Sequence, residues 1–417
     1  MTAEELIAQI EALIAVYRVP PIPVVQPGDP LPDGTFKLVA GLEYPRLILR
    51  SGQRVLGCGA KINGGAYPAI YVPPSTFDVH VEEVTCASTY QSVVLLGDNL
   101  DTTQASAELV PRRITLDRIS IPTHRGKRGI EVNASDVTIT NSDIADVWSP
   151  ALADSQAIGV LNSCGGVTIK NCRLSSGSEV VMLGGDRMKI VGGIIRDVLI
   201  ENCELYRPMS WQTDGINRAV KNLFEIKAGV NVTMRNCVLD GSWKAAQDGW
   251  AFVITPKNSQ YIENVLVEGC TVRNASGFAN LMGLDYNTVT PQNTKGVVFR
   301  NCNFVVTKNL GGRGTVGLMT GGMKDVTFEN CSGTFDGNAI VQSDSNATYG
   351  QHGPLTMTGC TMPTGIYGLT ADGAVYGDPL PAGSVYIGQE LLTNITGNTF
   401  TGAPSRFKTN FPNNTYL

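Results

Sequence analysis

The sequence predicts an all-β solenoid. Three observations predict it: a motif recurring about every 30 residues, a period-of-two alternation of apolar and polar side chains inside each copy, and a composition poor in charge and rich in turn formers. The motif is plainest in "VTIKNCRL" at 167. It returns as "VTITNSDI" at 137, "VLIENCEL" at 198, "VTMRNCVL" at 232, "VLVEGCTV" at 265, "VVFRNCNF" at 297, "VTFENCSG" at 326 and "LTMTGCTM" at 355, with a weaker copy, "NITGNTF", at 394. Ser142, Cys172, Cys203, Cys237, Cys270, Cys302, Cys331 and Cys360 mark equivalent points, separated by 30, 31, 34, 33, 32, 29 and 29 residues.

Each copy opens as Val167 and Ile169 against Thr168 and Lys170, the mark of a strand with one buried face. A unit of this size made of short strands cannot bury its apolar face alone, so it must stack on its neighbours. Stacking at the strand spacing of about 4.8 Å puts Asn over Asn and Cys over Cys. Asn side chains can then bond along a column of tight turns, and Cys, small and apolar, suits an interior column.

The alternating "VTI" strand, the Asn turn, the second strand "CRL" and a third strand such as "VVML" (180–183) resemble coils of the right-handed parallel β-helix, the pectate-lyase-like superfamily. The resemblance spans residues 45–402 and implies about ten coils. "ITLDRISI" at 114, "VHVEEVTC" at 79 and "RVLGCGAKING" at 54 fit the same template, with Arg118 and Glu83 at the Asn position and no residue assigned there in the copy at 54.

The chain has 417 residues, with 46 Gly, 22 Pro and only 17% charged residues, as a long single solenoid requires. A net charge of −5 with scattered Lys and Arg argues against a nucleic-acid partner. No run of 18 apolar residues is present, so no membrane-spanning helix is expected. Seven of the ten Cys occupy the repeated column, where parallel Cβ vectors bridge poorly, so free thiols are expected, and with them synthesis in a reducing cytoplasm. With three His, no paired CxxC and no DxDxD run, neither zinc nor calcium is expected, and no cofactor.

The amino terminus, "MTAEELIAQIEALIAVYRV", pairs Thr2 with Glu5 as a capping box and aligns Leu6, Ile10, Leu13 and Tyr17 on one stripe. A short α-helix over 1–19 is expected, as the neck of an oligomer or as a cap on the solenoid. Acids in place of basic residues exclude a signal peptide. Residues 20–44, with six Pro between 19 and 34, read as an extended linker and lead-in, and 403–417 as a tail. Helix, stiff linker and long β-helix are similar in outline to bacteriophage tailspikes. That likeness implies a homotrimer in the virion that joins other virion proteins through its N-terminus and binds, or also cuts, bacterial surface polysaccharide.

The loop between the Cys strand and the third strand varies most in length, and all four tryptophans fall there: Trp148, Trp211, Trp243 and Trp250. Their flat rings suit stacking on sugars; packing of loops or subunits is the competing use. Asp146, Asp154, Asp214, Asp240 and Asp248 share the segment, and Glu225 points outward from its strand because Phe224 and Ile226 point in. Asp214, Glu225 and Asp248 are the candidate catalytic carboxyls for glycoside hydrolysis. Lys227 and Lys244 are candidate substrate-binding cations, suited also to a lyase. Asp214, Asp240 and Asp248 each precede Gly, so plain turn formation competes for them. His124 and Glu131 form an outlying pair, with His124 expected at the surface. Three functions follow: a tailspike-like glycan-binding virion protein, a bacterial (extracellular) polysaccharide lyase or glycoside hydrolase, and a non-catalytic structural fibre.

Overall fold

In the computed structural model the described residues are 2, 4–7, 9, 21–98, 106–285, 292–343, 352–371, 394–403, 407–408 and 411–417. They form a parallel β-helix. Its third strands make one 12-stranded sheet, its first and second strands a 24-stranded one, and every strand pairing between coils is parallel. The register is that of the repeat: Val137 pairs Val167, which pairs Val198, then Val232, Val265, Val297, Val326 and Leu355. Ile114 and Val79 continue the column upstream, so the copies at 114 and 79 are true coils.

The Asn position is a left-handed turn. Asn141, Asn171, Asn202, Asn236, Asn301 and Asn330 have φ of 51 to 56°, and Gly269, Gly359 and Gly397 replace Asn at 63 to 68°. Asn tolerates this conformation because its short amide bonds locally. Here it also bonds along the stack, Asn171 donating to Asn141 at 3.1 Å and Asn202 to Asn171 at 3.4 Å. Glu83, Arg118 and Cys58 hold the same conformation in the first coils, with φ of 58, 52 and 53°, which supplies the residue unassigned in the copy at 54. A second left-handed column, without a clear signal in the motif, precedes the first strand. It includes Asp197, Asn231 and Asn264, bonded in series at 3.0 and 3.2 Å.

Val167, Ile169, Cys172 and Leu174 all face the core, at 0 to 3% exposure. The ten cysteines are free thiols, and burial pushes Cys86 up to about 12. Within the core Phe252, Phe278, Phe299 and Phe328 pack in sequence with ring centroids 5.0 to 5.2 Å apart.

Both ends are closed by segments outside the repeat. Of residues 20–44, expected as a linker, the described 21–44 pack on the solenoid. Thr35–Lys37 and Glu43–Pro45 pair with Arg54–Asn63, and Val25 is buried beside them. Proline is compatible with this role because an edge strand has N–H groups to spare. At the other end Thr415–Tyr416 pairs with Thr399–Thr401, and Phe407 lies against Phe400 and Phe411 against Phe407. The tail is thus a cap. The capping box is formed, Thr2 N–H donating to Glu5 and Glu5 N–H to Thr2 at 2.7 and 3.2 Å. Ile10, Leu13 and Tyr17 lie outside the described residues.

Candidate functional site

The corner between second and third strands sets the site because its length changes abruptly. After the strand Arg173–Ser176 it is only Gly177-Ser178, and a Cβ on Gly177 would come 2.9 Å from that of Trp148. The next corner, 207–221, is long. It crosses the short one and reaches Asp154 two coils back, with Lys221 Nζ donating at 2.5 Å.

Arg207 anchors this strap. It is 2% exposed, and its guanidinium donates to the carbonyls of Ser176 (2.7 Å), Asn222 (2.5 Å), Gly241 (3.2 Å) and Ser178, joining three coils. Burial brings its basicity down to about 9. Arg218, also buried, lies 4.1 Å over the Trp211 ring and 5.3 Å over Trp148, while Arg125 stands 4.6 Å over Trp148. Two of the predicted sugar-stacking rings therefore spend ring faces on arginines of their own chain. Asp214 binds Arg218 at 2.8 Å and accepts the Ile216 N–H at 2.9 Å, and that N–H above all holds its carboxyl below the ordinary value. Asp214 serves the turn.

Glu225 meets a different acid from those expected. It is 3% exposed and faces Glu179, which is wholly buried on the preceding coil. Around the pair, Lys227 lies 3.5 Å from Glu225 and Lys221 3.2 Å from Glu179, Gln156 donates to Glu179 at 2.7 Å, and Asn222 to Glu225 at 3.3 Å. Burial first, opposed by Lys227 and reinforced by Glu179, pushes Glu225 up to about 7. The two carboxyls are within hydrogen-bonding contact of each other. The glycosidase arrangement separates its pair by roughly 5 to 9.5 Å.

Trp243 and Trp250 are buried at 8 and 3%, so their rings pack rather than present a platform. Trp250 fills the space over Gly277, where a Cβ would stand 2.4 Å from the ring. His124, expected at the surface, is buried, and its two ring nitrogens face the carbonyls of Ser88 and Gln91 at 3.2 Å. Burial holds it below its ordinary value. Glu131 accepts from Ser92 at 2.5 Å and pairs with Arg128 at 3.2 Å, so the two do not act together. Asp146 pairs with Arg125, and Asp240 with Arg273.

Asp248 and Lys244 do come together, on an open cleft of about 380 Å³ that they share with Lys308, Gly311, Gly312, Arg313, Gly337 and Asn338. Asp248 lies 3.4 Å from Lys244 and 3.6 Å from Arg313. Lys308 and Arg313 escaped the reading of the sequence; the basic, glycine-rich "KNLGGRG" at the same corner of a later coil was the available signal. Glu179 was hidden as one acid inside an apolar run, and Arg207 as one more loop residue. Among the described residues no group of three His, Cys, Asp or Glu is placed to hold a metal.

The fold defines the chain as a parallel β-helix protein. No family model matches it, and no curated protein sequence does. Among solved structures it is similar to the A-module of Azotobacter vinelandii mannuronan C-5 epimerase AlgE4, at 12% identity and TM-score 0.46 over 92% of this chain and 87% of that one. It is similar also to the Dettilon tailspike protein gp208 (14%, TM-score 0.45, 94% of this chain and 62% of that one) and to the N-terminal fragment of bacteriophage Phi29 gene product 12 (12%, TM-score 0.48, 89% and 76%). These likenesses concern the fold.

Proposed function

We propose that this protein is a tailspike-like virion component that binds bacterial surface polysaccharide on the third-strand side of its β-helix. The observation that carries the reading is the cleft at Lys244, Asp248, Lys308 and Arg313, open to solvent, polar, and set at the loops of successive coils. A solenoid offers a long lateral face to an extended polymer, and charged groups at loop bases give that face its hydrogen-bonding partners. Assembly as a homotrimer and attachment to other virion proteins through the N-terminus belong to the same proposal. So does the carboxylate of Asp248 as the acting base, since it is the acid among the predicted three that borders the cleft. A base beside two cations suits proton abstraction next to a sugar carboxylate better than it suits a hydrolase pair.

The test is incubation of the full chain with purified capsular and lipopolysaccharide glycans. Binding is followed by co-sedimentation, and cleavage by new reducing ends or by ultraviolet absorbance of an unsaturated uronate. Retention of at least one glycan supports the reading, and failure to bind any would overturn it. Asp248→Asn should bind as before and cut nothing; a variant that cuts normally removes Asp248 from the chemistry.

A further inference from the structure

The walls of the cleft are fixed by backbone contacts between loops of four coils. Lys244 N–H donates to Leu310 C=O at 2.9 Å, Gly314 N–H to Ser276 C=O at 2.7 Å, and Gly337 N–H to Gly314 C=O at 2.9 Å. Ser276 Oγ donates to Asp248 C=O at 2.6 Å. Gly312 packs so closely that a Cβ there would stand 2.3 Å from Asp248 O, so its loop cannot lift away without losing the seam. Groups held this way need little reordering to receive a ligand.

Onto these walls two coils bring three cations: Lys244 from one corner, and Lys308 and Arg313 from the corner two coils on. Asp248 stands between Lys244 and Arg313 and offsets one charge, and Gln342 accepts from Arg313 at 3.1 Å. Asp336, the other acid close by, takes the Lys308 backbone N–H at 2.6 Å and the Thr307 hydroxyl at 2.7 Å. Among the described residues the Lys308 ammonium has no carboxylate within ion-pair distance. A chain of net charge −5 thus carries a local excess of positive charge at its open cleft.

We infer that the cleft takes an anionic group carried on the glycan, a sugar carboxylate or a backbone phosphate, held between Lys244, Lys308 and Arg313. The inference rests on the glycan-binding reading and narrows it to acidic polymers. Carboxylate and phosphate share the needed chemistry: oxygens that accept charge-assisted bonds from ammonium and guanidinium groups. A neutral glycan would leave the Lys308 ammonium without a counter-charge and gain little from it.

Binding of the full chain should be measured against polygalacturonate, polyglycerol phosphate and neutral dextran at two salt concentrations. The same series should be run with Lys308→Met, Arg313→Met and, as a control on the opposite sheet, Lys170→Met. At least one acidic polymer should bind with a salt-sensitive Kd, and dextran should not. Each cleft variant should weaken binding about tenfold or more, the cost of one charge-assisted bond, and the control should change nothing. Which acidic polymer binds identifies the group. Dextran bound as tightly as the acidic polymers, or cleft variants that bind as wild type, would overturn the inference and leave the glycan reading standing. If none of the three binds and no capsular or lipopolysaccharide glycan does, the glycan reading itself falls.

Discussion

Replacing Glu225 by Gln should flatten the dependence of stability on pH. Glu225 is 3% exposed, faces the buried Glu179 and is pushed up to about 7, against an ordinary value of 4.5 that it regains in the unfolded chain. A gap of about 2.5 pH units at 1.36 kcal/mol each is about 3 kcal/mol. Because the folded value is the higher one, the protonated acid is favoured by folding. Its contribution is fully present below about 4.5 and is lost as pH rises through about 7. The other groups facing the pair are Lys221, Asp154, Lys227 and Arg207. All four are present in both proteins, so the difference in slope between wild type and Glu225→Gln belongs to Glu225. Gln is neutral throughout. Urea unfolding followed by tryptophan fluorescence at pH 4.5, 6, 7 and 8 should show the wild type losing about 3 kcal/mol more than Glu225→Gln between the ends of the series. The amide's own contact with Lys227 adds only an offset that does not vary with pH. Parallel curves for the two proteins would refute the reasoning, because they would mean that Glu225 titrates alike folded and unfolded.

Thiol titration of the denatured protein should find all ten cysteines free, whereas the native protein should react promptly at the exposed Cys58 and slowly along the buried column. Asn171→Ala should cost about 1 to 2 kcal/mol, since it places a Cβ residue at φ of 56° and breaks the ladder on both sides, with Asn171→Gly costing less; equal losses would show that the amide ladder, not the backbone, matters. Phe299→Ala, at the centre of the aromatic stack, should lose about 3 to 5 kcal/mol in the same unfolding assay.

The chain's own periodicity determined the coil. An apolar residue at every second position and an Asn or Gly where φ must be positive are local requirements repeated in each copy, so they survive in one dimension, and the register from Val137 to Leu355 follows from them. The capping box at Thr2 and Glu5 is legible for the same reason: its partners are three residues apart. The roles of the site residues are not local. Whether Trp211 offers its face to a sugar or to Arg218, and whether Glu225 meets Asp248 or Glu179, depends on how a long corner folds across a short one, which no spacing along the chain encodes. Lys221 reaches Asp154 across 67 residues because the intervening corner, at Gly177, is short. The cleft likewise exists because glycines in one loop let it pack against the backbone of another, bringing Lys308 and Arg313 beside Asp248. Secondary structure and stacking were in the sequence because each repeat states them again; which side chains face each other across loops was decided by tertiary packing, where steric room and charge balance between distant segments select the partners.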